Sequence, residues 1–292
     1  MKKLLTLSLA ILMLMTLMSC TQKPKTAYEI ITEAQEKTAK LDSFSTDIDL
    51  DMTLGFQGIS FSAPTSISIN ATGIQSDSPK ASIAAEMSYM GMGISFDFYY
   101  EGEYLYLSAM GTNVKFNTKA LTETLPNEDM SAETEELQKE YDQLLIEALA
   151  DAEVQENEDG SKTISYKISS EKMTPFINKL LAEDANEGEE NSEAAAPEIN
   201  LSDVEMTQTM DKNGYVSGLD FKFSVSVTED LGEEGAIIGM DKMEITFEIE
   251  GTGTINEPGA PVEVTPMDGY ESFEEASPEG SISEDLGYLL IT

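Results

Sequence analysis

The sequence predicts an α+β protein: one large curved antiparallel β-sheet with helices packed on its concave face. Three observations point there. Apolar residues recur with period two over runs of ten to thirteen residues, as in Phe44 to Phe56, which is the mark of half-buried strands. Three segments instead carry apolar stripes at helical spacing. The connections are short and turn-rich, with no strand–helix–strand repeat of the kind that builds a parallel sheet.

The N-terminus is read first. Met1-Lys2-Lys3 is a short positive region, and a mainly apolar run follows from Leu4 to Met18. That is a secretory signal layout, and the run is short for a membrane span. Leu17-Met18-Ser19-Cys20 resembles the lipobox of bacterial lipoproteins, so residues 1–19 are expected to be a lipoprotein signal peptide and Cys20 the site of lipid attachment. The plainer readings are an ordinary secretory signal beside a spare cysteine, or an uncleaved anchor. Cys20 is the single cysteine of the 292 residues, so no disulfide can form within the chain.

Residues 20–25 are expected to be a tether to a domain spanning 26–265. Thr26 with Glu29 three residues on is a capping box, opening a helix whose apolar stripe is Ala27, Ile30, Ile31, Ala34 and Leu41. The strand 44–56 puts Ile48, Leu50, Met52 and Leu54 on one face and Asp47, Asp49 and Asp51 on the other. Ile59 to Gly73 is a second strand, expected to bend at Pro64. Strands follow at 80–90, 93–100 and 103–109, with a short one around Val114 and Phe116.

A helix is expected over Glu133 to Ala150, with Leu137, Tyr141, Leu144, Leu145 and Leu149 as its stripe. Residues 161–169 alternate through Ile164, Tyr166 and Ile168. Asn157-Glu158-Asp159-Gly160 reads as a hairpin turn, since it lacks the ligand spacing of an EF-hand. A third helix runs from Ser170 or Glu171 to Leu181, with Met173, Phe176 and Ile177 inward. The acidic, alanine-rich insert 183–197 has no periodicity and is expected to be disordered. Strands resume over 199–210, turn at Asp211-Lys212-Asn213-Gly214, and continue over 215–227 and 240–251. Residues 266–292 are acidic and rich in Gly, Ser and Pro, and are expected to be a mostly disordered tail, apart from an apolar patch at Leu286 to Leu290 that could dock somewhere.

Composition narrows the chemistry. The chain has 17 Lys plus Arg against 55 Asp plus Glu, a formal charge of −38, and all 17 cations are lysines. Such a surface repels nucleic acid phosphates and anionic lipid headgroups. The membrane partner would therefore be reached through lipid on Cys20. With no His and no Arg, imidazole catalysis and bidentate phosphate clamps are excluded. No carboxylate pair stands out as catalytic, and the expectation is a non-enzyme with no cofactor and no metal. The run Asp47, Asp49, Asp51 reads as a solvated face.

Three stretches resemble the LolA/LppX-like open β-barrel lipoproteins and the Gram-positive lipoprotein group that shares their half-barrel. They are KLDSFSTDIDLDM (40–52), YYEGEYLYL (99–107), and DKNGYVSGLDFKFSV (211–225) leading through MEITFEIEGTGTINEP (243–258). The chain departs from the group in its acidic insert and tail, and in having Val114-Lys115-Phe116 where a Trp often follows the paired tyrosines. The resemblance implies a monomeric, extracytoplasmic binding or carrier module for a hydrophobic small molecule, a lipid or acyl chain, held between sheet and helices. Its expected lining is Met52, Leu54, Tyr104, Tyr106, Phe176, Phe221 and Phe247. Methionine suits an adaptable apolar pocket, though Met and Tyr are equally explained as core filling and cross-strand pairing. The competing reading is a structural or adhesive surface lipoprotein with a packed core, recognising a protein or glycan through its outer sheet face or the 183–197 loop.

Overall fold

The computed structural model describes residues 25–89, 91–119, 132–185, 198–230 and 242–276. The signal peptide, Cys20, most of the tether, residues 186–197 of the acidic insert and the tail beyond 276 lie outside the described residues.

Helix α1 (Ala27–Thr38) starts at the capping box read from the sequence. Thr26 Oγ1 accepts from the Glu29 N–H at 3.2 Å, and Glu29 Oε2 accepts from the Thr26 N–H at 2.8 Å. Six strands follow as a meander: β1 (Ser43–Phe56), β2 (Ile59–Thr72), β3 (Lys80–Tyr89), β4 (Met92–Glu101), β5 (Tyr104–Ala109) and β6 (Thr112–Asn117). Then come α2 (Ala132–Leu149), β7 (Glu153–Glu156), β8 (Lys162–Ile168), α3 (Ser170–Ala185), β9 (Glu198–Leu201), β10 (Val204–Met210), β11 (Val216–Asp230) and β12 (Lys242–Asn256). A 3₁₀ turn (Tyr270–Ser272) and a two-residue β13 (Glu274–Glu275) close the described chain. Among the described residues no helix is long and apolar enough to cross a membrane.

The strands form one open sheet of order β13-β6-β5-β4-β3-β2-β1-β12-β11-β10-β8-β7, with β9 on β11. The first and last long strands pair at its centre, Ile48 opposite Gly253 and Leu54 opposite Phe247. The turns are set by backbone chemistry. Gln57-Gly58 joins β1 to β2 with φ of 49° and 80°, the pair of positive angles a type I′ turn requires. At Asp211–Gly214 the Asp211 carboxylate accepts from the N–H groups of Asn213 and Tyr215, both at 2.9 Å.

Alternation assigns every strand two faces, and the registers make them continuous across the sheet. From β12 through β1, β2 and β3 to β4, one face carries only apolar or aromatic side chains, glycine and threonine. The opposite face carries the carboxylates, including Asp47, Asp49, Asp51, Glu248 and Glu250. The helices pack on the apolar face at one end of the sheet. Their buried cluster joins Ala27, Ile31 and Ala34 of α1, Leu149 of α2 and Met173 of α3 to Ile164, Tyr166 and Ile168 of β8 and Met210 of β10. Thr38 locks α1 in place: its hydroxyl donates to Ala34 O at 2.8 Å and accepts from the Val216 N–H at 2.9 Å. The N–H of Ser170 at the start of α3 is bonded by Asp203 at 2.9 Å, and Lys179 ties α3 to Glu140 of α2 at 2.7 Å.

Several expectations are corrected. β2 runs unbroken through Pro64, which lies opposite Asp51 of β1 just before the pairing with β3 starts at Thr65. β7 has no apolar pattern to read: all four residues are exposed, and it is held by its ladder to β8. Helix α3 extends to Ala185, into the segment expected to be disordered. The expected single strand 199–210 divides into β9 and β10 around Ser202-Asp203, and β12 continues to Asn256. The first residues of the expected tail, 266–276, pack on the sheet, and β13 pairs with β6 in parallel, an exception to the antiparallel expectation.

Candidate functional site

Residues 257–276 form a strap that returns across the sheet to β4–β6. Val264 and Phe273 are buried there with Tyr99 and Tyr106, and Met267, Tyr270 and Tyr104 pack around them. The rings meet edge to face, Tyr270 at 5.1 Å from Tyr99 and 4.9 Å from Tyr106, an arrangement that ring quadrupoles favour. Both hydroxyls end on one acid: Glu101 accepts from Tyr99 at 3.0 Å and from Tyr270 at 3.1 Å, and pairs with Lys80. The Lys80 ammonium, joined by these hydroxyls, holds the Glu101 carboxyl below the ordinary carboxylate range, while burial pushes the Tyr99 phenol up.

This cluster sits on the polar face. Tyr99 and Tyr106 are partners across β4 and β5, and Tyr99 alternates with Asp97 and Glu101, on the side away from Phe98 and Tyr100. Tyr104 and Tyr106 therefore do not share a face with Met52, Leu54, Phe221 and Phe247. The sequence could not reveal this, because Tyr-Leu-Tyr-Leu is apolar at every position and alternation names no face. The register with β4 decides it.

The other expected residues fall into two groups. Phe176 joins the helix-covered cluster, where its ring centroid lies 6.1 Å from that of Tyr141. Beside it, in the same covered region, Gln208 is buried and donates to the Tyr166 hydroxyl at 3.2 Å, while its Oε1 has no partner among the described residues. Burial pushes the Tyr166 phenol up to about 12.

Met52, Leu54, Phe221 and Phe247 line up on the apolar face between the helices and the far strands. Leu54 lies opposite Phe247, which lies opposite Val225; Met52 lies opposite Ile249, which lies opposite Phe223. Phe221 and Phe223 stack at 6.3 Å. Phe221 and Leu50 lean over Gly251 from either side: a Cβ there would fall 2.5 Å from Phe221 Cζ and 2.7 Å from Leu50 Cδ2. The absent side chain lets the rings close over β12. Among the described residues this part of the face is open. Phe247 is 40% exposed, Ile59 57% and Met92 62%, and all three point to the apolar side.

The polar face holds hollows of its own. One of about 620 Å³ is lined by Asp51, Glu205, Lys222, Glu248 and Glu250, and another of about 600 Å³ adjoins it over β8, β10 and β11. Their charges are paired along the surface, Lys222 with Glu250 and Lys167 with Glu205, both at 2.9 Å. Asp47 is held by Ser68 at 2.6 Å and Asn256 at 2.7 Å, which keeps its carboxyl below its ordinary range. Among the described residues no group of three or more candidate ligands could hold a metal ion.

No curated protein matches the chain. Solved structures similar to it include LprF from Mycobacterium bovis, at 14% identity over 82% of this chain and 96% of that one, with a TM-score of 0.33. A DUF1329 family protein from Desulfovibrio piger shares 9% identity over 83% and 94%, with a TM-score of 0.22. A putative outer membrane lipoprotein-sorting protein domain from Vibrio parahaemolyticus shares 8% over 82% and 94%, with a TM-score of 0.19. The architecture rests on the strand pairings. From the capping threonine of α1 to the first buried residue of the strap, residues 26–264 match one family model, and the chain belongs to that family, DUF6612, a family of unknown function.

Proposed function

We propose that this is an extracytoplasmic lipoprotein, anchored to the cell membrane by lipid on Cys20, whose domain binds or carries a hydrophobic molecule on the open apolar face of β11, β12, β1 and β2. The observation that carries the reading is the uncharged face itself, with Phe247 and Ile59 exposed upon it in a chain of net charge −38. Acyl chains fit such a surface because it offers area without geometric demand, and Met52 and Met87 can repack around them. Across β12, β1 and β2 the face offers only apolar and aromatic side chains, glycine and threonine, so binding is the chemistry it supports best.

The test is mass spectrometry of co-purifying lipid, followed by titration with a fluorescent fatty acid. Saturable binding is expected, weakened at least tenfold by Phe247→Asp with Met52→Asp. Absence of both bound lipid and saturable binding overturns the reading. The anchor is tested separately: Cys20→Ala is expected to release the protein from cells.

A second reading is favoured by the polar face. Its adjoining hollows of about 620 and 600 Å³ would suit recognition of a protein or glycan. Loss of adhesion in Glu248→Gln with Glu250→Gln, with lipid binding intact, would select it.

A further inference from the structure

The helix-covered cluster contains one polar pair. Gln208 of β10 is 7% exposed and Tyr166 of β8 8%, and on that side of the sheet they stand among Ile164, Ile168, Met206 and Met210. Gln208 donates to the Tyr166 hydroxyl at 3.2 Å. The phenol proton is not used in that bond. The other end of the amide, Gln208 Oε1, is buried and has no hydrogen-bond partner among the described residues. The pair thus offers one acceptor and one donor where water is excluded, and an acceptor left unpaired in such a place is costly.

Gln208 also stands where the helix cover ends. It pairs with Leu219 of β11, Leu219 pairs with Gly253 of β12, and Gly253 lies opposite Ile48 of β1. Phe221 is its diagonal neighbour across the ladder, about 7 Å away. Leu219 and Phe221 are only half-buried. A Cβ on Gly253 would meet nothing but Leu219 within 4 Å. The row from Gln208 to Ile48 therefore has a gap one side chain deep at β12. An acyl chain on Met52 and Phe247 that crosses β12 at this gap brings its polar end to Gln208.

The chemistry of that end follows from the surroundings. On the helix-facing side of β8 and β10 the single charged residue is Lys162, at the end of β8, in a hollow of about 260 Å³ that it shares with Glu33 and Asp211. A carboxylate or phosphate before Gln208 would be buried without a cation of its own, and an ionised acid has no proton to give Oε1. A hydroxyl donates and accepts, so it serves Oε1 and the phenol together, and it serves the amide in either orientation. We infer that the Gln208 amide and the Tyr166 hydroxyl form a subsite for the polar end of the hydrophobic ligand, and that this end is an uncharged hydroxyl. The subsite rests on the carrier reading above and supplies what that reading leaves open, the head of the ligand.

The experiment uses the full chain loaded with a fluorescent fatty acid, displaced by oleyl alcohol or by oleyl methyl ether. The two competitors share one chain and differ in the hydroxyl proton. Wild type is expected to prefer the alcohol about tenfold. Gln208→Met with Tyr166→Phe is expected to bind both alike, at the affinity wild type has for the ether. Its denaturation midpoint should hold, because both polar partners are removed together. In wild type, an oleyl alcohol with a diazirine beside its hydroxyl is expected to label peptides holding Tyr166 or Gln208. Equal displacement by alcohol and ether in wild type overturns the subsite, with an internal water serving Gln208, and leaves the carrier reading in place. An alcohol preference that survives the double variant does the same, as does label confined to strands other than β8 and β10. Ionised oleate displacing better than the alcohol overturns the uncharged head. Failure of every one of these lipids to bind overturns the carrier reading and the subsite with it.

Discussion

At the β8–β10 end of the sheet three helices cover the apolar face; at the β4–β6 end a strap of chain covers the polar one. The two clusters are built from different side chains for that reason. The helix-covered cluster is largely aliphatic, with Ile164, Ile168, Leu149, Met173 and Met210 buried. The strap cluster lies among carboxylates, so its rings are mainly tyrosines, whose hydroxyls satisfy Glu101 while their bodies exclude water. Between them no described segment covers the apolar face. Burial in this protein thus follows where a segment docks, and the apolar pattern alone does not dictate it.

The largest effects should come from emptying either cluster. Ile164→Ala and Tyr99→Ala, both at fully buried positions, should each cost about 3 kcal/mol in chemical denaturation. Phe247→Ala, in the open middle, should cost about 1 kcal/mol or less, since much of its ring is already in water. Limited proteolysis separates the two ends: Tyr99→Ala should expose cleavage sites in 264–276, and Ile164→Ala should not. Equal costs at all three positions would erase the distinction between covered and open regions.

Gly251→Val tests the seam where Phe221 and Leu50 meet. Its Cβ would land inside contact distance of both side chains, and the expected loss is about 2 kcal/mol, read as a lower denaturation midpoint. A full-stability variant would mean the rings move aside freely.

The smallest effects are those of pH. The Glu101 carboxyl is held below its ordinary value of 4.5. Its contribution is therefore present above that value and lost as pH falls through the folded one. Proteolysis of the strap should rise below about pH 4, and Glu101→Gln should remove that dependence. Alkali acts on both ends. Burial raises the phenols of Tyr99 and Tyr166 above 10.0, so each contributes in full below that value and the contribution is lost as pH rises through the folded one. Tyr166→Phe should blunt the alkaline loss at the helix-covered end alone, measured by near-ultraviolet circular dichroism.

Much of the architecture was legible because it is local. The capping box at Thr26 and Glu29 needs four consecutive residues. The two faces of β1 need only its own alternation, and the turn at Asp211–Gly214 needs a side chain that bonds its own backbone. The shared face of Met52, Leu54, Phe221 and Phe247 was legible for the same reason, since each sits on the apolar beat of its own strand. Tyr104 and Tyr106 were misplaced because their run has no polar beat. The strap was missed because Val264, Met267, Tyr270 and Phe273 follow neither period and gain their burial from Tyr99 and Tyr106, more than 150 residues earlier.

By itself the sequence determined what alternation, capping and turn chemistry can specify: an α+β chain, long strands with one uncharged face, and a composition without His or Arg chemistry. Tertiary structure alone decided that β1 and β12 meet at the centre, that the helices gather at one end, and that the strap crosses to the acidic side. Those choices depend on contacts between residues far apart in the chain, whose energy arises only once distant segments have docked.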